Sequence, residues 1–402
     1  MSAPASGMRS TLWLCYAAMM CLALSTNLPP VFLTTFDETF GGVQGLSEEA
    51  LGRIPGMLFF TMIFGILLAG PLADRFGLKR FTLLGLAFVA TGIGITATAQ
   101  TFLQLLAAMT FLGLGVGTLE VVLSPIVAHL VPHERASALN KLHFFYCAGA
   151  VLAVALGSLC HYYTIPWRMV LGVILFFPVA VLLAFAWSPI PSPHKDERGG
   201  EAPPPRHTGP TIYLSAFFIL SLFTIALSGA TEVGMAQWLP TYAERDLAMN
   251  KVGGSMALGI FSILMGLGRV ITARILKYIA PETVMIVSCA LAALAYLLGA
   301  TLPWPHAALI ACVSIGLFSA CLWPTTLALA ANRFPNGGST MYGLLAAAGN
   351  VGCMLMPWLI GFIATQVDLS LGLAINALSP LLLIGVLFWL RSHRQPHAHH
   401  EL

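Results

Sequence analysis

The sequence has 402 residues, 9% of them charged and 58% hydrophobic, with 19 Lys and Arg against 16 Asp and Glu and a net charge of +3. An ordinary soluble domain carries about 25% charged residues, so a water-covered globule is excluded and lipid must be the solvent. The slight positive excess gives no reason to invoke nucleic acid as a partner.

Crossing hydrocarbon as a helix takes about 20 apolar residues. Twelve runs meet this requirement: 11–35, 51–72, 81–99, 102–130, 139–160, 166–187, 212–241, 252–277, 283–301, 305–331, 340–365 and 370–390. The predicted fold is an all-α membrane protein of twelve transmembrane helices in two six-helix bundles. The N-terminal bundle takes residues 1–187 and the C-terminal bundle 212–390. A linker over 188–211, rich in Pro and mixed charge, joins them, and a His-rich tail over 391–402 follows. The linker composition buries little and predicts disorder. The first run follows a single Arg9 and lacks a small-residue cleavage site, so it reads as an uncleaved first helix.

Helix 1 carries Asn27 and the pair Pro29-Pro30, which predicts a kink, then Asp37 and Glu38 at its outer end. Between helices 2 and 3 stands Gly70-Pro71-Leu72-Ala73-Asp74-Arg75-Phe76-Gly77-Leu78-Lys79-Arg80, a tight charged loop in a chain with few charges. Helix 4 holds Gly113, Gly115 and Gly117, a spacing that permits close helix contact, then Glu120 and Ser124-Pro125. Helix 5 opens with Lys141 and carries His143 and Tyr146. A degenerate copy of the charged loop, Gly266-Leu267-Gly268-Arg269 with Arg274 and Lys277, follows helix 8. The eight cysteines all lie in apolar runs without a Cys-x-x-Cys pair, which predicts buried free thiols and neither disulfide nor metal.

Orientation follows the Lys and Arg distribution. With both termini in the cytoplasm, fifteen of the 19 basic residues fall on the cytoplasmic side, and only Arg53, Arg168, Arg245 and Lys251 on the other. The expected location is the plasma (inner) membrane. Nearly every acid lies in a loop or at a helix end. The exceptions at membrane depth are Glu120 and Glu232, where an ionised side chain costs at least about 2.5–3.5 kcal/mol. Such residues face a water-filled path or a partner. Glu120 reads as a proton-coupling acid or direct substrate ligand, against the plainer reading of a protonated, hydrogen-bonded structural side chain. Glu232, read as lying in the outer half of helix 7, contacts substrate or joins an outer gate. Polar and aromatic groups at similar depth are candidates for substrate binding: Asn27, His143, Tyr146, Gln237, Trp238, Trp323 and Asn350. Any of these also serves as packing between helices. No nucleophile set, metal-ligand spacing or phosphate loop is present, so an enzyme is not expected.

The Gly70–Arg80 segment, with Gly70, Asp74, Arg75, Gly77 and Arg80 at its key positions, resembles the signature loop of the major facilitator superfamily. The resemblance covers the whole chain. It implies the two-bundle fold of that superfamily, transport by alternating access, a cavity lined by helix 4, and a cytoplasmic latch in which Asp74 caps the start of helix 11. A narrower resemblance is to the fucose and glucose/galactose permeases. It is carried by Gly113–Pro125, by Leu139-Asn140 with Gly149, by Gly229–Tyr242 with Glu232 and Trp238, by Gly316–Pro324 and by Gly349–Gly361. It implies proton-coupled uptake of a sugar or related polar molecule by a monomer, with no cofactor beyond the coupling ion, H+ or alternatively Na+. Two positions depart from that pattern. The helix 1 carboxylate is missing, its place falling near Pro30, and His143 stands where helix 5 has Gln. Fucose itself and a direct copy of the coupling scheme are therefore not carried over. The competing reading in the same superfamily is a polyspecific exporter of drugs or metabolites.

Overall fold

The computed structural model describes residues 6–131, 135–188, 213–334 and 338–392. The linker residues 189–211, the tail residues 393–402 and the Asp74 side chain lie outside the described residues, and with them the expected disorder of the linker and the cap on helix 11. The described chain is helical, without a strand. Its helices are α1 (Ser6–Val31), α2 (Leu33–Phe40), α3 (Glu48–Phe76), α4 (Leu78–Thr98), α5 (Phe102–Leu130), α6 (Arg135–Tyr162), α7 (Trp167–Trp187) and α8 (Ala216–Arg245). They continue as α9 (Lys251–Ile275), α10 (Pro281–Thr301), α11 (Pro305–Ser319), α12 (Leu322–Arg333), α13 (Gly338–Gln366), α14 (Leu369–Ile375) and α15 (Leu378–Ser392).

Twelve spans are long and apolar enough to cross a membrane, and each corresponds to one of the runs read from the sequence. An even number of spans returns the chain to the side it started from, so both described ends lie on one face, the terminal face. The opposite face carries residues 41–47 and the connection between α8 and α9.

Three spans are broken, each beside a proline or an uncapped polar residue. Pro29 and Pro30 remove two amide donors from α1, and the chain restarts as α2 after Phe32. The tenth span breaks at Ala320-Cys321, just before Pro324. The twelfth breaks at Asn376, whose buried side chain donates to Ala230 O at 3.1 Å and to the Tyr296 hydroxyl at 2.7 Å. Helix starts are set by short polar side chains that accept a first-turn amide: Ser47, Thr101 in a reciprocal box with Gln104, Ser215, Asn250 and Asp368.

The charged segment after the second span is mostly helix. Gly70, Asp74 and Arg75 are the last turns of α3, Lys79 and Arg80 open α4, and Gly77 alone forms the turn. Its φ of +99° is one that side-chain-bearing residues rarely adopt. Lys79 donates to Ser188 O at 2.7 Å and so ties this corner to the end of α7. Among the described residues Arg75 and Arg80 have no ion-pair partner, and Arg75 lies 5.3 Å from the Phe76 ring.

Glycine sets the closest packing of the N-terminal bundle. A Cβ on Gly113 would sit 2.2 Å from Leu58 O, and one on Gly117 2.2 Å from Met62 O, both on α3. A Cβ on Gly115 would sit 2.7 Å from Gly85 O of α4. The two-residue alternation thus places α5 against α3 on one side and α4 on the other. The bundles meet in a similar way where α3 crosses α13: a Cβ on Gly52 would fall 2.7 Å from Pro357 O, and one on Gly361 2.3 Å from Glu48 O.

Polar contacts between the bundles gather on the face opposite the chain ends. Arg245 of α8 pairs with Asp37 at 2.6 Å and also with Glu48. Lys251 of α9 pairs with Glu38 at 2.6 Å and donates to Thr35 at 3.2 Å. The Glu49 amide donates to Thr365 Oγ1 at 2.8 Å. Asp37 also accepts from the Leu46 amide, which folds the 41–47 loop back on α2. Just outside the span, burial and the nearby Asp368 carboxylate raise Asp246 above its ordinary carboxylate value, against the pull of Arg245.

Two outcomes are expected. Gly117→Leu should destabilise the protein by roughly 1–3 kcal/mol or more, because the clash is with backbone; a thermal melt in detergent measures it, and an unchanged midpoint would contradict the packing described. Removing Arg245 as Arg245→Ala deletes two half-exposed ion pairs, about 1–2 kcal/mol together. The separation of spin labels at Val43 and Trp304 should then shift toward longer distances. An identical distribution would show that the ion pairs do not hold this face shut.

Candidate functional site

A charged and polar cluster lies between the bundles near the middle of the spans. α5 supplies Glu120, which is shielded from solvent over its Oε2 and has no hydrogen-bond partner for that atom among the described residues. α8 supplies Glu232, only 18% exposed over its side chain. Cys353 of α13 is within electrostatic reach of both carboxyls, so the two acids flank a common region.

Glu232 is held from behind. Tyr296 of α10 donates to Thr231 O at 2.7 Å, and Asn376 donates to Ala230 O. Both bonds take carbonyls of the α8 turn that precedes the acid, in a region where lipid offers no substitute. The break in the twelfth span therefore has a positional consequence: it frees Asn376 to pin the backbone next to Glu232.

The depth expected for Glu232 is corrected by the structure. α8 starts at Ala216 and continues through Pro240 to Arg245, so Glu232 falls near its middle and not in its outer half. The ion pairs between the bundles on the face opposite the chain ends are made by Arg245, Lys251, Asp37, Glu38 and Glu48, without Glu232. Glu232 has another partner. Arg269 Nη2 lies 3.9 Å from Glu232 Oε1, and Arg269 Nε is buried without a partner. The sequence reading had put Arg269 in a loop after helix 8, as part of a degenerate copy of the charged motif. It sits inside α9, which runs on to Ile275. The signal that would have found it is elementary: an acid at membrane depth calls for a cation, and Arg269 is the basic residue farthest from either end of its run.

The N-terminal bundle faces this pair with Tyr146 of α6 and Asn27 of α1. The Tyr146 hydroxyl meets the Thr26 and Asn27 side chains and lies within electrostatic reach of Glu232 and Arg269. Asn27 spends its amide protons on Ala23 O at 2.9 Å and Thr26 Oγ1 at 3.1 Å, which leaves its own carbonyl oxygen as an acceptor. His143 is exposed toward the terminal face and still feels the Arg269 charge. Below it, Tyr16 of α1 stacks on Phe145 with ring centroids 4.9 Å apart, and the exposed Trp13 meets both rings edge-on.

Trp323 of α12 packs beside Gly229, three residues before Glu232 on α8. Its ring lies against Gly349 and Gly229, and a Cβ on Gly349 would penetrate it at 2.2 Å. Glycine at that position is what lets an indole pack between α8 and α13. Three other candidates are not brought to the cluster's open side. Trp238 is fully buried and donates its indole N–H to Pro357 O at 2.9 Å, a packing contact between α8 and α13. Asn350 is buried and donates to Ala346 O one turn back on its own helix. Gln237 is buried beside Trp238, with its Oε1 unpartnered. Among the described residues no group of His, Cys, Asp and Glu is placed to hold a metal.

The family model described as Major Facilitator Superfamily matches residues 14–339 and 255–401. Among characterised relatives, a plastidic glucose transporter 4 of Arabidopsis thaliana is 25% identical over 231 residues, 56% of this chain and 42% of that one. The multidrug resistance protein MdtL of Klebsiella pneumoniae is 25% identical over 359 residues, 85% of this chain and 88% of that one. The alignments with the first relatives span only 28% to 51% of their lengths. Among solved structures, the transporter FucP in its outward conformation superposes with a TM-score of 0.67 at 18% identity, covering 97% of this chain and 100% of that one. The twelve-span fold and a family match over most of its length make this chain a member of the Major Facilitator Superfamily, a family of transporters and not of enzymes.

Proposed function

We propose that this protein is a proton-coupled secondary transporter of a small polar molecule of sugar-like size. The terminal face is cytoplasmic on the basic-residue count, and the ion-paired face is external. The observation that carries the reading is Glu120, a carboxyl at membrane depth with an unpartnered, solvent-shielded oxygen at the bundle interface. An ionised carboxylate there is costly, so the group does its work by taking and losing a proton as the bundles rock around it. Asn27, Tyr146 and Trp323 form the wall that contacts substrate: an amide and a hydroxyl for polar groups, an indole face for carbon. Glucose transporters among the relatives and FucP among the fold neighbours support a sugar or sugar-like substrate. The protein works as a monomer in this reading, since every residue of the cluster comes from one chain.

A second reading has a specific observation in its favour. Two relatives align over most of both chains, and one of them is a multidrug resistance protein, the other a probable 4-methylmuconolactone transporter. As an exporter the protein would run the same proton exchange with the substrate moving outward, and hydrophobic compounds would occupy the aromatic lining around Tyr16, Phe145 and Trp13.

Reconstitution tests both. Under an inwardly directed proton gradient, wild-type liposomes should accumulate labelled substrate; Glu120→Gln should lose accumulation while keeping exchange down a concentration gradient. Undiminished accumulation by Glu120→Gln would end the coupling role. A sodium gradient in place of the proton gradient should drive nothing, and accumulation under sodium alone would reassign the coupling ion. Efflux of hydrophobic dyes with no sugar-sized substrate taken up would decide for the exporter.

A further inference from the structure

The transport reading leaves Arg269 without a task. A guanidinium at membrane depth is costly and persists where something needs it. Its internal partner satisfies it poorly: the one ion pair is 3.9 Å long, near the limit for such a contact, and a sulfur at 3.5 Å is its other neighbour. Nε is buried and unpartnered, while the side chain as a whole is 34% exposed. The guanidinium is thus held at the edge of the space between the bundles, with donors to spare. A planar fork of N–H donors fits a carboxylate in bidentate fashion, and such charge-assisted pairs are about twice as strong as neutral hydrogen bonds. A neutral hydroxylated molecule would leave the cation with only its distant internal counter-charge, Glu232 at 3.9 Å.

We infer that Arg269 is the anchor for a carboxylate on the transported molecule, with Glu232 as the internal carboxylate that occupies Arg269 when the site is empty. The inference rests on the transport reading and narrows it to small organic anions, sugar acids being the members that also suit Asn27, Tyr146 and Trp323. Glu232 and the substrate compete for one guanidinium. Protonation of Glu232 frees Arg269 for the incoming anion; loss of that proton restores the internal pair and expels it. The groups facing this exchange are Arg269 on α9, Tyr146 and His143 on α6, Tyr296 on α10 and Cys353 on α13, with Glu120 on α5 across Cys353. Of these only Arg269 carries a fixed positive charge, so the substrate anion has no other anchor of that kind in the cluster.

The test uses matched probes on the full chain: glucuronate against glucose, gluconate against sorbitol, and benzoate against benzyl alcohol. Thermal stabilisation in acidic and alkaline buffer reads binding. At least one carboxylate should stabilise the wild type, more strongly in acid, and its neutral mate should not. Arg269→Gln combined with Glu232→Gln removes both charges together, so no unpaired ion is left to unfold the protein. This variant should bind the carboxylate about tenfold more weakly or worse. Arg269→Lys should recover part of the affinity. Glu232→Gln alone should bind more tightly and lose the pH dependence, a response that a merely structural ion pair would not give. Equal binding of the carboxylate and its neutral mate, an unchanged response in the double variant, or no response to any carboxylate would overturn the inference. A neutral sugar accumulated under a proton gradient would overturn it and leave the transport reading standing. Carboxylate binding through Arg269 with no uptake under any gradient would do the reverse.

Discussion

Lipid offers no hydrogen bonds and a poor home for charge, and the architecture of this protein is a response to that constraint. Backbone polar groups must find partners within the chain, and at the break in the twelfth span a side chain takes that role. Asn376 shows the principle at its most useful. It sits where the twelfth span is interrupted, and it turns the interruption into a clamp on the α8 backbone beside Glu232. The same constraint explains why the second buried acid is not alone: Arg269 approaches Glu232 in a place where either charge unpaired would cost several kcal/mol.

Without a hydrophobic force between helices in lipid, close packing must supply the cohesion. The glycines of α5 bring α3 and α4 to backbone contact, and those of α3 and α13 do the same across the two bundles. The ion pairs that join the bundles are partly exposed. Arg245, Asp37, Glu48, Lys251 and Glu38 keep between 19% and 63% of their side chains exposed, so each pair contributes roughly 1 kcal/mol or less. Several weak bonds in place of one strong one suit the proposed role of this face, which opens once in each cycle of the transport reading. The side chains around Glu232 are positioned within the C-terminal bundle: Trp323 packs over Gly349 and against Gly229, and Glu232 stands on a turn whose carbonyls are tied to Tyr296 and Asn376.

The sequence by itself determined the solvent, the number of spans and the family. Composition excludes water, twelve runs of sufficient length leave one fold class, and Gly70–Arg80 between the second and third runs identifies the superfamily. It also isolated Glu120 and Glu232, because an acid inside an apolar run is visible without any coordinates. What it left open was partnership and depth. Helical ends shift by a turn without changing the apolar pattern, and a shift of one turn moves Glu232 from the outer half to mid-depth, while the likeness of residues 266–277 to a charged loop hides that Arg269 lies within α9. Trp238 and Tyr146 are both aromatic residues in apolar runs, and no local pattern says that one packs on Pro357 while the other faces the opposing bundle. Those distinctions depend on how helices rotate and cross, which is set by glycine contacts between segments hundreds of residues apart. Only the tertiary structure joins Arg269 to Glu232, because the two charges lie on different helices and local sequence does not say which faces meet.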